Sequence, residues 1–258
     1  SPRRCWAPPC PLNRHRDHRR MLEINDINTY RAAAHVLRGV SLSVGEGEVV
    51  CLVGRNGAGK TTTIESVMGL LPVKSGTIRL HEKDITGLPP HERAKLGLGY
   101  SPEDCGIFPE LTVAENLMIS EWLSEAAARE RGAAVESTEE RIYSVFPEVR
   151  DLIDRQGINL SGGQRKMVAI ARAMALAPSL LLLDEAFEGL APVVVKRFRE
   201  AVIKIKALGI SILIAESHLP VAAAVADRLY AIDRGEIIFH GKPDEAFENE
   251  EVMKTLRG

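Results

Sequence analysis

The chain has 258 residues, of which 45% are apolar, 26% charged and only 5% aromatic, an ordinary composition for a folded protein with a sizeable core. Disorder, a collagen-like fibre and a small disulfide-stapled scaffold are excluded on that basis. Lys and Arg number 33 against 35 Asp and Glu, a formal net charge of −2, which argues against a nucleic-acid binder that relies on bulk positive charge.

The charge is unevenly spread. Residues 1–20 hold six Arg, one Asp and four Pro with no apolar run, the pattern of a disordered leader or extension and not of a signal peptide. Patterned sequence begins at Met21. Leu22–Ile27 and Val40–Val44 alternate in polarity, as antiparallel strands with one wet face do. Val49–Val53 reads as a buried strand, followed by a glycine-rich turn and a helix from about Gly59 to Met68. From Leu111 to Glu148 the spacing is helical and rich in Ala, Glu and Arg. This predicts an inserted helical subdomain over roughly residues 104–158, with Leu117, Leu123, Ile142 and Phe146 packed inward. Leu180–Leu183 and Ile210–Ala215 are further buried strands, joined by a helix that starts near Pro192 and stops at Gly209. Arg228–Ile232 and Glu236–Phe239 flank Asp233-Arg234-Gly235 as a hairpin.

This alternation predicts an α/β fold with a largely parallel sheet and an antiparallel N-terminal part. The longest apolar runs fall far short of the roughly 18 residues needed to span a bilayer. Cys5, Cys10, Cys51 and Cys105 are too scattered for a disulfide framework, which fits a reducing, cytoplasmic compartment.

Three motifs carry chemistry. Gly54-Arg55-Asn56-Gly57-Ala58-Gly59-Lys60-Thr61 fits G-x-x-x-x-G-K-[ST] between a buried strand and a helix. Its glycines let backbone N–H groups curl around phosphate oxygens, and the following helix offers its positive end. Lys60 would bridge the β- and γ-phosphates, and the Thr61 hydroxyl would ligate Mg²⁺. Leu180–Leu183 runs into Asp184 and Glu185, two carboxylates at the carboxyl end of a buried strand. Asp184 is placed to hold Mg²⁺, and Glu185 to orient and deprotonate an attacking water. In Leu160-Ser161-Gly162-Gly163-Gln164, Ser161 reads locally as an N-cap, and Gln164 completes a capping box for a helix reaching about Ala177. Capping leaves Gly162 and Gly163 unexplained, because glycine weakens a helix; a bare glycine surface at a helix start is one that a phosphate can approach.

GRNGAGKTT, LSGGQ and LLLLDE, in that order, resemble the ATP-binding-cassette (ABC) ATPases, and the resemblance covers residues 21–258. It implies a P-loop NTPase fold with a RecA-like parallel core, an N-terminal antiparallel β subdomain and an inserted helical subdomain. It also implies that two cassettes, in a homo- or heterodimer, pack head to tail. Each ATP would then lie between Asn56–Thr62 of one chain and Ser161, Gly162, Gly163 and Gln164 of the other, with Tyr30 where the family stacks an aromatic on adenine.

Three positions depart from the commonest pattern. Ser101-Pro102-Glu103 stands where a Gln usually contacts Mg²⁺ and the membrane partner; Glu103 can ligate a metal but adds negative charge. Ala186 replaces a frequent Pro. The family's switch histidine falls at Ser217, with His218 one residue on, and either can serve.

GLGYSPEDCGIFPELTVAENL and DEAFEGLAP resemble the LivF-type subunit of importers for branched-chain or related amino acids. Urea or amide importers and lipopolysaccharide-export cassettes share some of these phrases. The resemblance implies an ATPase on the cytoplasmic face of a membrane permease, served indirectly by a periplasmic solute-binding protein. A non-transport cassette is the alternative from another class.

Overall fold

The computed structural model describes residues 19–131 and 138–257. The leader expected over residues 1–20 therefore lies outside the described residues, except at its end, where Arg20 already opens the first strand. The elements in chain order are β1 (Arg20–Arg31), β2 (Ala34–Gly45), β3 (Val49–Val53), α1 (Lys60–Met68), β4 (Val73–Leu80), β5 (Lys83–Asp84), α2 (Pro90–Lys95) and β6 (Leu98–Ser101). The helical segments α3 (Val113–Arg131), α4 (Thr138–Val145) and α5 (Gly162–Ala175) follow. Then come β7 (Leu180–Asp184), α6 (Pro192–Ala207), β8 (Ser211–Glu216), α7 (Leu219–Ala223), β9 (Arg228–Asp233), β10 (Glu236–Gly241), α8 (Pro243–Glu248) and α9 (Glu250–Arg257).

Two sheets result. One is antiparallel, in the order β2-β1-β4-β5; the other has the order β10-β9-β3-β8-β7-β6 and is parallel from β9 to β6, with β10 antiparallel at its edge. The central strands VVCLV, LLLLD and SILIAE are buried on both faces, and the two-residue period divides each between two cores. Val49, Cys51, Val53, Leu181, Leu183, Ile212 and Ile214 face the layer of α5 and α6. Val50, Leu52, Leu180, Leu182 and Leu213 face α1 and the antiparallel sheet, where they meet Ile64, Val67, Leu22 and Ile24.

Several expectations are corrected. The first two strands are each 12 residues long, because bulges let them pair well beyond Leu22–Ile27 and Val40–Val44. β4, β5, β6 and α2 have no counterpart in the sequence reading: Val73–Leu80 carries Lys, Ser and Gly, and β6 is only four residues long. Leu123 is 55% exposed and not packed inward, off the buried stripe that Val113, Asn116, Leu117 and Ser120 form earlier in α3. Leu117, Ile142 and Phe146 are buried as expected. α5 ends at Ala175 and α6 at Ala207, each closed by a residue with positive φ, Ala177 and Gly209.

One buried cation ties these layers together. Arg93 of α2 is 2% exposed and sits against the carboxyl end of α1. Its Nη1 donates to Ser66 O (2.8 Å) and Val67 O (2.7 Å), its Nε to Leu88 O (2.8 Å) and its Nη2 to Thr86 O (2.8 Å). Burial pulls its pKa down, but the orphan carbonyls and negative dipole end of α1 hold the charge in place. Arg93→Met should destabilise the protein by roughly 2–4 kcal/mol, because it takes the side-chain donor from the Val67, Thr86 and Leu88 carbonyls and leaves Ser66 O only the Gly69 N–H. Arg93→Lys should recover little of this, since one ammonium cannot reach all four oxygens; urea unfolding of the three proteins measures both.

Candidate nucleotide site

The loop from β3 to α1 is shaped by close approaches that only glycine tolerates. A Cβ on Gly54 would stand 2.5 Å from Ile232 O, and one on Gly59 2.9 Å from Leu37 Cδ2. Gly57 has φ 82° and Gly59 φ 117°, both in the left-handed region. Gly59 is also the N-cap of α1. It supplies no side-chain acceptor, and the first turn carries no acid, so the helix start keeps its N–H groups for an anion.

Lys60, 4% exposed, turns its ammonium back over this loop. Nζ donates to Gly54 O (2.9 Å), Arg55 O (3.3 Å) and Ser217 Oγ (2.8 Å), and it pairs with Glu185 Oε1 at 2.9 Å. Ser217 Oγ lies 2.7 Å from Glu185 Oε1 and 3.0 Å from Asn56 Oδ1. The structure thus brings Asn56, Lys60, Glu185 and Ser217 into one contact network. His218 is exposed. Its backbone N–H reaches Glu216 Oε1 (3.3 Å), and it lines, together with Arg55, Asn56 and Ser217, a cavity that extends to Leu219, Pro220 and Phe247.

Thr61 Oγ1 donates to Asp184 Oδ1 (3.3 Å), while Asp184 Oδ2 is buried with no partner. Burial first, then the neighbouring Glu185 and Glu103, push Asp184 up to about 6 against the Thr61 hydrogen bond. An orphaned carboxylate oxygen beside a hydroxyl fits a hard divalent cation such as Mg²⁺. Among the described residues no cluster of three His, Cys, Asp or Glu could hold a metal alone, so water and phosphate oxygens would make up the rest of the shell. Glu103 is exposed and borders the same cavity of about 490 Å³ as Lys60, Thr61, Thr62 and Glu185. Glu185 has φ 48° and is fixed by its own N–H on Ala215 O (2.9 Å) and by Lys166 Nζ on its carbonyl.

Ser161 and Gln164 form the expected capping box at the start of α5: Gln164 N donates to Ser161 Oγ (3.3 Å), and Ser161 N to Gln164 Oε1 (2.9 Å). A Cβ on Gly162 would meet nothing within 4 Å, so the surface there is bare, whereas one on Gly163 would meet Val194 at 3.2 Å. Within one chain this helix start does not join Lys60; Gly162 borders a second cavity of about 410 Å³ with Arg165, Lys166 and Glu188. Tyr30 is 40% exposed and already stacked on His35, with ring centroids 4.4 Å apart and 6° between planes, so only one face remains for another ring. Its neighbour Arg31 enters the first cavity and donates to Thr62 Oγ1 (3.3 Å).

Two residues of the site escaped the sequence reading. Arg31 carries no motif. Glu216, the last residue of β8, is buried, and its Oε1 accepts from Ser217 N (2.9 Å) and His218 N. Burial first, then Glu185, push Glu216 up to about 7. Its only signal in the sequence was an acid closing an apolar strand.

A parallel sheet with a glycine-rich phosphate loop at the carboxyl end of its central strand, and acids on the strand two places away, defines a P-loop ATPase cassette. The chain belongs to the ABC transporter family, whose sequence pattern matches residues 37–188. It is 38% identical over 226 residues to the lipopolysaccharide export system ATP-binding protein LptB of Escherichia coli, covering 86% of this chain and 91% of that one. It is 33% identical over 242 residues to the probable branched-chain amino acid transport ATP-binding protein LivF of Archaeoglobus fulgidus, covering 92% and 99%. The crystal structure of the ADP conformation of an ATP-binding cassette of an ABC transporter superposes with a TM-score of 0.78 at 30% identity, over 93% of this chain and 99% of that one. The protein is therefore the ATP-binding subunit of an ABC transporter, an ATPase whose hydrolysis is coupled to transport. Such subunits dimerise and work with membrane permease subunits, and among the described residues no helix is long and apolar enough to cross a membrane.

The glycines of the loop should differ in kind. Gly54→Ala forces a methyl group onto a backbone carbonyl and should cost about 2–4 kcal/mol. Gly57→Ala meets only its own positive φ and should cost about 1 kcal/mol. Thermal unfolding of the two variants, compared with the unsubstituted protein, checks the order.

Proposed function

We propose that the chain works as one half of a head-to-tail pair that closes on Mg·ATP at the cytoplasmic face of a membrane permease. The observation that carries this reading is the meeting of Lys60, Glu185, Ser217 and Asn56 at the start of α1, while the second bare helix start, at Ser161–Gln164, opens into another cavity. The phosphate-binding set is Asn56, Gly57, Ala58, Gly59, Lys60, Thr61 and Thr62, with Tyr30 offering its free face to adenine. Ser161, Gly162, Gly163 and Gln164 of the second chain cover the far side of the triphosphate. Thr61 and Asp184, with Glu103 within reach of the same cavity, would hold Mg²⁺, which supplies charge neutralisation for the phosphates.

A triphosphate at Lys60 competes with Glu185 for the ammonium and so frees the carboxylate. Glu185 then orients a water and takes its proton as the water oxygen bonds to the γ-phosphorus and the bond to the β-phosphate oxygen breaks, releasing ADP and phosphate. In this reading Ser217 takes the switch position, because its hydroxyl contacts both Lys60 and Glu185.

For the transported solute we propose import of branched-chain amino acids or related small polar solutes, with a periplasmic binding protein as the indirect partner. Glu103 in place of the usual Gln and the near full-length match to the LivF relative support this. A second reading, lipopolysaccharide or other lipid export, is favoured by the 38% identity to LptB. Identifying the permease subunits that co-purify with the chain decides between them.

Lys60→Ala should abolish hydrolysis, and Glu185→Gln should lower kcat by roughly 10²-fold or more while retaining ATP. Size-exclusion chromatography of Glu185→Gln with saturating Mg·ATP should show a dimer; a persistent monomer would count against the paired site. Ser217→Ala should slow hydrolysis about tenfold, and His218→Ala should leave it within about twofold. A steady-state ATPase assay reads both.

A further inference from the structure

Glu216 is used by nothing described so far, yet its burial needs a reason. It is 1% exposed at the end of β8, and strand alternation puts it on the face of Ile212 and Ile214, in an apolar layer. A carboxyl in such a place is costly unless paired, and among the described residues no cation pairs with Glu216. What it does hold is the turn that follows. Oε1 accepts both Ser217 N (2.9 Å) and His218 N (3.3 Å), while Oε2 is buried without a partner. The Ser217 N–H is shared with Glu185 Oε2 at 3.2 Å, so Glu216 and Glu185 grip one amide from two sides. The hydroxyl of that residue bridges Lys60 and Glu185.

We infer that Glu216 is a positioning residue for ATP hydrolysis, which clips the Ser217–His218 turn so that the Ser217 hydroxyl stays aimed at Lys60 and Glu185. The inference rests on the reading of Lys60 and Glu185 given above. It separates the needs of the fold from those of the reaction. An apolar side chain of similar length removes the cost of burying the acid, which offsets the two lost N–H contacts because Ser217 N keeps Glu185 Oε2 and His218 is exposed, but it cannot accept an N–H. A glutamine keeps the acceptor oxygen and the shape.

The test uses the full chain carrying Glu216→Met, Glu216→Gln, Ser217→Ala, and Glu216→Met combined with Ser217→Ala. Glu216→Met should keep or raise Tm, leave KM for ATP within about twofold and lower kcat about tenfold, whereas Glu216→Gln should recover kcat to within about threefold. The combined variant should lose no more than the worse single one, because Glu216 acts through Ser217. Full kcat in Glu216→Met, losses that multiply in the combined variant, or a fall in Tm that tracks the fall in kcat in both Glu216 variants overturns the inference. If hydrolysis also survives Lys60→Ala and Glu185→Gln, the reading of the site itself fails. If only those two variants lose activity, the assignment of Glu216 alone fails.

Discussion

The ammonium of Lys60 draws together the carboxyl ends of three parallel strands. Gly54 and Arg55 follow β3, Glu185 follows β7 and Ser217 follows β8, and all three segments place an oxygen within 3.3 Å of Nζ. A buried cation needs such a shell, because its desolvation is costly unless oxygens replace the lost water. The glycines of the loop, the left-handed backbone at Glu185 and the turn after β8 can all be read as the geometry that keeps this shell closed. An anion that enters at α1 therefore does not simply fill space; it exchanges with ligands that hold the strand ends in register.

The electrostatic setting is lopsided. Asp184, Glu185, Glu216 and Glu103 crowd one sheet edge, and Lys60 is the cation in contact with the group. Burial and mutual repulsion raise Asp184 to about 6 and Glu216 to about 7, so negative charge on this edge is costly and added positive charge is favoured there. A divalent cation relieves that repulsion more effectively than a proton, since it serves several oxygens at once. The phosphate loop and the acidic edge are in this sense two parts of one charge balance.

Much of this was legible in the sequence, for stated physical reasons. VVCLV, LLLLD and SILIAE are apolar at nearly every position because both faces of the parallel sheet are covered, and runs of that kind are easily read. The phosphate loop was legible because its chemistry permits few residue types. The elements that escaped are those held by tertiary contacts: β4 with its exposed Lys, Ser and Gly, the two-residue β5, and α2, whose value lies in the reach of Arg93. The choice between Ser217 and His218 was likewise open in sequence. Adjacent residues after a strand point in different directions, and it takes the folded turn to show that the Ser217 hydroxyl is the one in contact with Lys60. Tyr30 was visible as an aromatic, but its stacking on His35 five residues away was not.

The two bare helix starts, at α1 and α5, open into neighbouring cavities of the same chain that share Glu103 and Glu188. If each completes the other across a two-fold axis, the total hydrolysis rate in dilute solution rises with the square of protein concentration until the pair saturates. Two copies held side by side on permease subunits escape that dependence, because tethering fixes their local concentration. Anchorage would then act as an on-switch by itself: a subunit adrift from its transporter would consume little ATP, without any dedicated inhibitor.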